Sequence, residues 1–394
     1  MTKIDRIVYL HEHHFSERYF QCFGFPELIE NGFHLEIWNF MPFLANEEFL
    51  EDKPPDTFVW ENHVYFNTSR HAVDAILRLP NDTVVLSGVH YTPRTLPIYR
   101  ALSRTGVTCF SLLAMALPLG TMPPRKSDRK QLSFGALMDR LFYSVPYSFF
   151  GVKPVNVILG MGEKYFRHGY PCSGKSEVLW VHSFDYDEYL RERIKPDKID
   201  SGTCVFLDEY VPLHPDNTAA NLSRVPMQRY YDQMRSFFDH IENKLAVNVV
   251  IAAHPRSHYE DLPGLFGKRP VIRGKTAELV KNSGFVILHQ SMSMNFAVLF
   301  EKPMIFVVTD DYLQHLAEDP HPQWLAGYFG KKLHNLDTET AIDLDEESYI
   351  DRETYRSYRN DYIKKEGSPE KTFSQIVTDR IRAMNRPVDD TERG

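Results

Sequence analysis

The chain has 394 residues, 43% of them hydrophobic and 25% charged, with 20 Gly and 25 Pro. Such proportions belong to a globular chain long enough for two domains, and they exclude disorder, collagen and coiled coil as the main plan. With 45 Lys and Arg against 53 Asp and Glu the formal charge is −8, so no nucleic-acid partner is expected, while a phosphate on a small ligand needs only a local site.

Four cysteines, at 22, 109, 172 and 204, contain no CxxC pair. That fits a reducing compartment better than a disulfide framework. The opening MTKIDRIVYLHEHHF has no long apolar run. The longest one, 107–119, is shorter than the ~20 residues a spanning helix needs, and Pro118 breaks it. A cytoplasmic protein is expected, at most peripheral to a membrane.

Residues 7–10 read as a strand, 15–30 as a helix and 34–38 as a second strand. Ser69 is placed as the N-cap of a helix running to Leu79. A strand at 83–86, a helix at 93–103 and a strand at 107–113 follow, and 155–159 and 178–181 add two more strands. Strand and helix in alternation predict parallel βαβ units. The stretch 195–202 (KPDKIDSG) loses apolar periodicity and is the expected boundary. Then the pattern restarts, with strands at 204–207, 247–253, 285–288 and 303–307. Helices are predicted at 229–245, 276–281 and 295–300, and the last sixty residues are polar and mostly helical in pattern. The expectation is an α/β fold of two Rossmann-like domains facing a cleft. They span 1–198 and 199–394, with the terminal helices returning to the first.

The richest segment is 249–309. Strand VVIAA ends at His254-Pro255-Arg256-Ser257, and ligands of open parallel sheets sit beyond the carboxyl ends of strands. His and Arg there can meet a phosphate by charge-assisted hydrogen bonds. Lys275 and Thr276 open the next helix, with Thr276 as a candidate cap. Strand FVILH runs into Gln290-Ser291-Met292-Ser293-Met294-Asn295, where hydroxyls and helix-start N–H groups suit an anion.

This constellation resembles the C-terminal half of GT-B glycosyltransferases, over about 203–310. It is most similar to the bacterial sialyltransferase and capsule-type families that use CMP-activated sugars. The first half resembles them only in architecture. The resemblance implies that His254, Pro255, Ser291 and Ser293 hold the phosphate and ribose of the nucleotide, although Met292 separates serines that are often adjacent in the family. It also implies that Asp208 and Glu209 match the family's acidic pair, one carboxylate being the base on the acceptor hydroxyl. Tyr210 stands where the family has Gly. Arg256, Lys275, Thr276 and Asn295 complete the expected nucleotide site.

The function so implied is transfer of a sugar, of nonulosonic-acid or Kdo-like type, from a nucleotide donor to a bacterial surface glycan. A CMP-sugar is favoured, with a UDP-sugar second, and no metal or other cofactor is expected. His11, Glu12 and His90 follow strands of the first half and are the candidate acceptor contacts. A nucleotide-sugar epimerase of the same fold and a non-catalytic glycan- or nucleotide-binding protein are the alternatives.

Two further patterns are read as structural. Residues 169–176 satisfy the GxxxxGK[ST] phosphate-loop spacing, but a strand pattern rather than a helix follows, so a turn is expected. Asp185-Tyr186-Asp187 resembles a metal-binding DxD, yet acids also favour the first turn of a helix. The segment 123–150 joins a basic stretch to LFYSVPYSFF, which suits either an anionic membrane surface or an ordinary loop and packed helix.

Overall fold

The computed structural model describes residues 3–44, 58–113, 141–164, 171–214, 225–316, 321–339 and 342–386. Among these, the chain forms two compact units. The first takes the chain up to Asp187 together with the stretch from Lys364 onward, and the second is Glu188–Ile363. The change of unit falls inside the helix Phe184–Arg193.

The first unit is built on seven parallel strands: β1 Arg6–His11, β2 His34–Asn39, β3 His63–Tyr65, β4 Thr83–Ser87, β5 Thr108–Leu112, β6 Val157–Gly160 and β7 Glu177–Trp180. Their order is β3-β2-β1-β4-β5-β6-β7. The second unit has β8 Asp200–Leu207, β9 Asn248–Ala253, β10 Val271–Arg273, β11 Ser283–Leu288, β12 Met304–Val308 and β13 Leu333–Asn335, in the order β10-β9-β8-β11-β12-β13. Both are Rossmann-like α/β domains. The inner strands read as near-continuous apolar runs because helices cover both faces of a parallel sheet. Ile7, Val8, Val84, Val85, Val286 and Ile287, for example, are fully buried.

In each sheet the strand order reverses once, between β1 and β4 and between β8 and β11. The connections on either side of such a point leave toward opposite faces. A crevice therefore opens beyond the carboxyl ends of the strands, where ligands bind in open α/β sheets.

Local sequence explains most element ends. The expected helix 15–30 is two helices, Glu17–Cys22 and Phe25–Glu30, because Gly24 between them takes φ 63°. A Cβ on Gly24 would stand 2.9 Å from that of Ser374, so only glycine fits both the turn and the close approach. Thr68, one residue before the expected Ser69, is the N-cap of Ser69–Leu77, its hydroxyl accepting from His71 N–H. The strand β8 begins at Asp200, inside the stretch expected to be a linker. The helix Met227–Leu245 buries Tyr230, Tyr231, Met234, Phe237, Phe238 and Ile241, the i, i+3/i+4, i+7 stripe of an amphipathic helix.

The helix Phe373–Met384 belongs to the first unit. Thr372 and Gln375 form its capping box, and the buried Asp187 carboxylate accepts from Phe373 N–H at 3.0 Å. Phe373, Ile376, Val377 and Ile381 share one core with Ile7, Leu35, Leu86 and Leu159.

Candidate functional site

The acidic pair that ends β8 joins the neighbouring strand ends of the second unit. Asp208 is buried and keeps both oxygens inside the protein. Oδ1 accepts from Tyr210 N–H at 3.0 Å, and Oδ2 accepts from His254 N–H at 3.2 Å and from the Tyr259 hydroxyl at 2.9 Å. Glu209 is half-buried. Its Oε1 accepts from Gln290 N–H at 2.6 Å, after β11, and its Oε2 from the Tyr312 hydroxyl at 3.0 Å, after β12. Burial pushes the Asp208 carboxyl up to about 6 and that of Glu209 up to about 7, against these hydrogen bonds. Asp208 thus ties β8 to β9 as a structural carboxylate, while Glu209 stands at the switch point with a pKa suited to proton transfer near neutrality.

Tyr210, where the transferases that the sequence resembles have Gly, has φ 55° and ψ 33°. The backbone here needs the left-handed conformation that glycine adopts without strain. Tyrosine holds it because its ring is packed edge-to-face on Tyr259, with centroids 5.2 Å apart.

The two expected nucleotide loops flank this pair. After β9, Ser257 donates to the His254 carbonyl at 2.7 Å and closes a tight turn. The His254 ring accepts from Arg256 N–H at Nδ1, 3.2 Å, which leaves Nε2 as its donor edge. Pro255 is exposed in this turn and Arg256 half-buried. After β11, Ser291 and Ser293 are half-buried, and Ser293 N–H donates to Ser291 Oγ at 3.3 Å. Beneath them His289 donates from Nδ1 to the Val307 carbonyl at 2.6 Å and accepts from the Tyr230 hydroxyl at 2.7 Å. Burial holds its pKa down to about 4, so it is neutral.

Three expected residues stand differently. Asn295 is buried within the helix Met294–Leu299. Thr276 starts the helix Thr276–Asn282, but Lys275 occupies the N-cap position and no side chain makes the capping bond. Lys275 is exposed and lies 3.7 Å from Glu278. The sequence reading passes over Gln290 and Tyr312, which hold Glu209 and each other, Gln290 Nε2 donating to the Tyr312 hydroxyl at 2.9 Å. Their only signal is their place just past β11 and β12.

At the switch point of the first sheet, His11 is buried under Tyr9 and Phe15, and its Nε2 lies 3.2 Å from the His14 carbonyl. Burial drives its pKa down to about 3. It supports the loop from inside rather than offering an edge to a ligand. Glu12 and His90 do meet. Glu12 Oε1 accepts from the His90 backbone N–H at 3.1 Å and pairs with the His90 ring. That hydrogen bond raises the His90 pKa. His13 joins them, so a group of possible ligands forms across two strand ends rather than within the HEHH run.

The two look-alikes fold as structural elements in their described parts. Residues 171–176 turn, with Lys175 N–H on Ser173 Oγ at 3.1 Å, and β7 follows at once with no helix to cradle a phosphate. Gly169 and Tyr170 lie outside the described residues. Asp185 and Asp187 open a helix, and Asp187 is buried on Phe373. No described helix is long and apolar enough to cross a membrane. Of the segment 123–150, residues 123–140 lie outside the described ones, and Leu141 and Phe149 are exposed.

No family model matches the sequence, and no curated protein matches it. Solved structures match the fold along nearly the whole chain. The glycotransferase of kitacinnamycin aligns at 12% identity and a TM-score of 0.50, covering 98% of this chain and 100% of its own. The wall teichoic acid polymerase TagF, soaked with CDPG, gives 11% and 0.48 over 97% of this chain and 90% of its own. UDP-GlcNAc 2-epimerase from Methanocaldococcus jannaschii gives 11% and 0.43 over 96% and 99%. The fold is of GT-B type, two Rossmann-like α/β domains, and its likeness to the kitacinnamycin glycotransferase covers nearly the whole chain.

Proposed function

We propose that the chain is a glycosyltransferase whose second unit binds a nucleotide sugar and whose first unit binds a glycan acceptor. The observation that carries this is Glu209. It is a half-buried carboxylate at the switch point of the second sheet, fixed by Gln290 and Tyr312, with the His254 and Ser291 loops beside it. In this reading the donor's sugar–phosphate bond breaks with its electron pair leaving on the phosphate. The His254 donor edge, Arg256 and the Ser291 and Ser293 hydroxyls meet that charge. The acceptor hydroxyl attacks the anomeric carbon and its proton passes to Glu209. Asp208 positions the His254 turn. Glu12 and His90 are the acceptor contacts. The donor is a pyrimidine nucleotide sugar, CMP-linked by motif likeness, with UDP-linked as the second choice. Contact with an anionic membrane surface, through the basic and apolar residues of 123–150, belongs to the same reading.

Calorimetric titration with CMP, UDP, CDP and GDP tests the binding half. Incubation of CMP- and UDP-sugars with mixed glycan acceptors tests transfer. Micromolar binding of one pyrimidine nucleotide, followed by nucleotide release that depends on acceptor and on Glu209, is expected. Epimerised donor with no transfer would convert the assignment to the epimerase. Binding of none of the four would overturn it.

A further inference from the structure

The parallel register of β1 and β4, with Leu10 opposite Ser87, sets their carboxyl ends side by side. Glu12, His13 and His90 emerge there from two separate strand ends. One ligand atom from each lies within 4.8 Å of the other two. His13 Nε2 is 3.8 Å from Glu12 Oε1, the same oxygen that pairs with the His90 ring. Ligands held at about 2.0–2.2 Å in a tetrahedral shell stand roughly 3.4 Å apart. The present spacing therefore differs from a coordination shell by at most about 1.4 Å, within reach of ring rotation. Both imidazoles face solvent, with 61% and 51% of their side-chain surface exposed, so turning them disturbs no core.

We propose that Glu12, His13 and His90 form a binding site for one divalent transition-metal cation of the Zn²⁺ class. Two imidazoles and one carboxylate are the donor set that suits Zn²⁺, whereas Mg²⁺ and Ca²⁺ prefer all-oxygen shells. The carboxylate is the least exposed of the three, with 10% of its side-chain surface open. The His90 backbone N–H orients it at 3.1 Å, the kind of supporting contact that fixes a ligand before the metal arrives. Three protein ligands leave a fourth position for water or an oxygen of a bound molecule. The DxD pattern at 185–187 is not involved, because Asp187 is committed to Phe373. The site lies within the first unit and needs no nucleotide, although it shares Glu12 and His90 with the acceptor contacts of the transferase reading.

The test uses the full chain without a histidine tag and Zn²⁺ alone as probe, followed by calorimetry, with Co²⁺ absorption as a second readout. Wild type should bind one Zn²⁺ at micromolar or tighter affinity and give visible Co²⁺ bands of a four-coordinate site. His13→Ala and His90→Ala should each weaken binding at least tenfold and remove those bands. His34→Ala, which removes an exposed histidine elsewhere, should leave both unchanged. Thermal melts confirm folding, and Glu12→Gln replaces His90→Ala if that variant melts early. The absence of saturable Zn²⁺ binding by wild type would overturn the proposal. So would wild-type affinity in both histidine variants. Neither result would touch the nucleotide titrations, which contain no metal.

Discussion

Replacing Glu209 by Gln tests the carboxylate on which the functional reading turns. The amide has nearly the same shape. Its oxygen can still accept from Gln290 N–H, and its NH₂ can donate to the Tyr312 oxygen, so the main change is the loss of a charge. Burial raises the Glu209 pKa from 4.5 to about 7. The anion is thus disfavoured in the folded state, by about 3 kcal/mol from the linkage constant, and about 2 kcal/mol once partial solvent contact is allowed for. The sign follows. Below pH 4.5 the group is protonated folded or unfolded, and the penalty is absent. Stability is then lost as pH rises through 7, where the folded protein must carry the buried anion. Glu209→Gln should therefore match wild type near pH 4.5 and exceed it by about 2 kcal/mol at pH 8. Urea unfolding at the two pH values measures the difference. Nucleotide affinity should stay within about threefold while transfer falls at least a hundredfold, as expected for loss of a general base. An equal effect on stability at both pH values would refute the claim that burial perturbs this carboxyl. Undiminished transfer would refute its role as the base.

Other consequences are open to simple tests. His254→Ala, and Ser291→Ala with Ser293→Ala, should each weaken nucleotide binding tenfold to a hundredfold, the worth of a hydrogen bond to a charged group at about 1.5–3 kcal/mol. Combined they should cost less than the product, because both act on one phosphate; calorimetry reads this. Lys175→Ala should leave nucleotide affinity unchanged, since β7 follows the turn directly, and a loss with intact folding would revive the phosphate loop. Nucleotide binding should likewise survive EDTA. Gly24→Ala places a side chain at φ 63° and 2.9 Å from the Cβ of Ser374; about 2 kcal/mol of destabilisation, a fall of roughly 4–8 °C in Tm, should appear in a thermal melt.

The alternation of apolar strands with amphipathic helices was enough to give two parallel sheets, because inner strands such as Val249–Ala253 and Phe285–Leu288 are buried on both faces and read as plain apolar runs. The strands that escaped, β3, β10 and β13, have three residues each and sit at or near sheet edges. Too few residues are constrained there to leave a period. The site was legible where a strand end carries a chemical marker, as at Asp208-Glu209 and His254-Pro255. It was not legible where partners come from distant chain. Nothing local marks Tyr312 as the residue that holds Glu209, or His90 as the one that meets Glu12, seventy-eight residues earlier. Burial is equally silent in the sequence. Asn295 and His11 sit in promising motifs, yet they point into the protein because helix phase and loop closure decide their direction.

That the helix Phe373–Met384 completes the core around β1 sets an order on how the polypeptide can be made. A ribosome extends at about 5–20 residues per second. After Asp187 is made, it must translate Glu188–Ile363, some 176 residues, before the stretch from Lys364 begins. For roughly 9–35 s the nascent first unit lacks Phe373, Ile376, Val377 and Ile381, and the apolar side chains they cover, Ile7 and Leu35 among them, stand exposed. Among the described residues the second unit comes from one continuous stretch and can close as it emerges, so the half synthesised later is the one able to fold first. Pulse-labelled chains probed by protease should show Glu188–Ile363 protected before residues 1–187. The waiting first half is the part on which chaperones should be found.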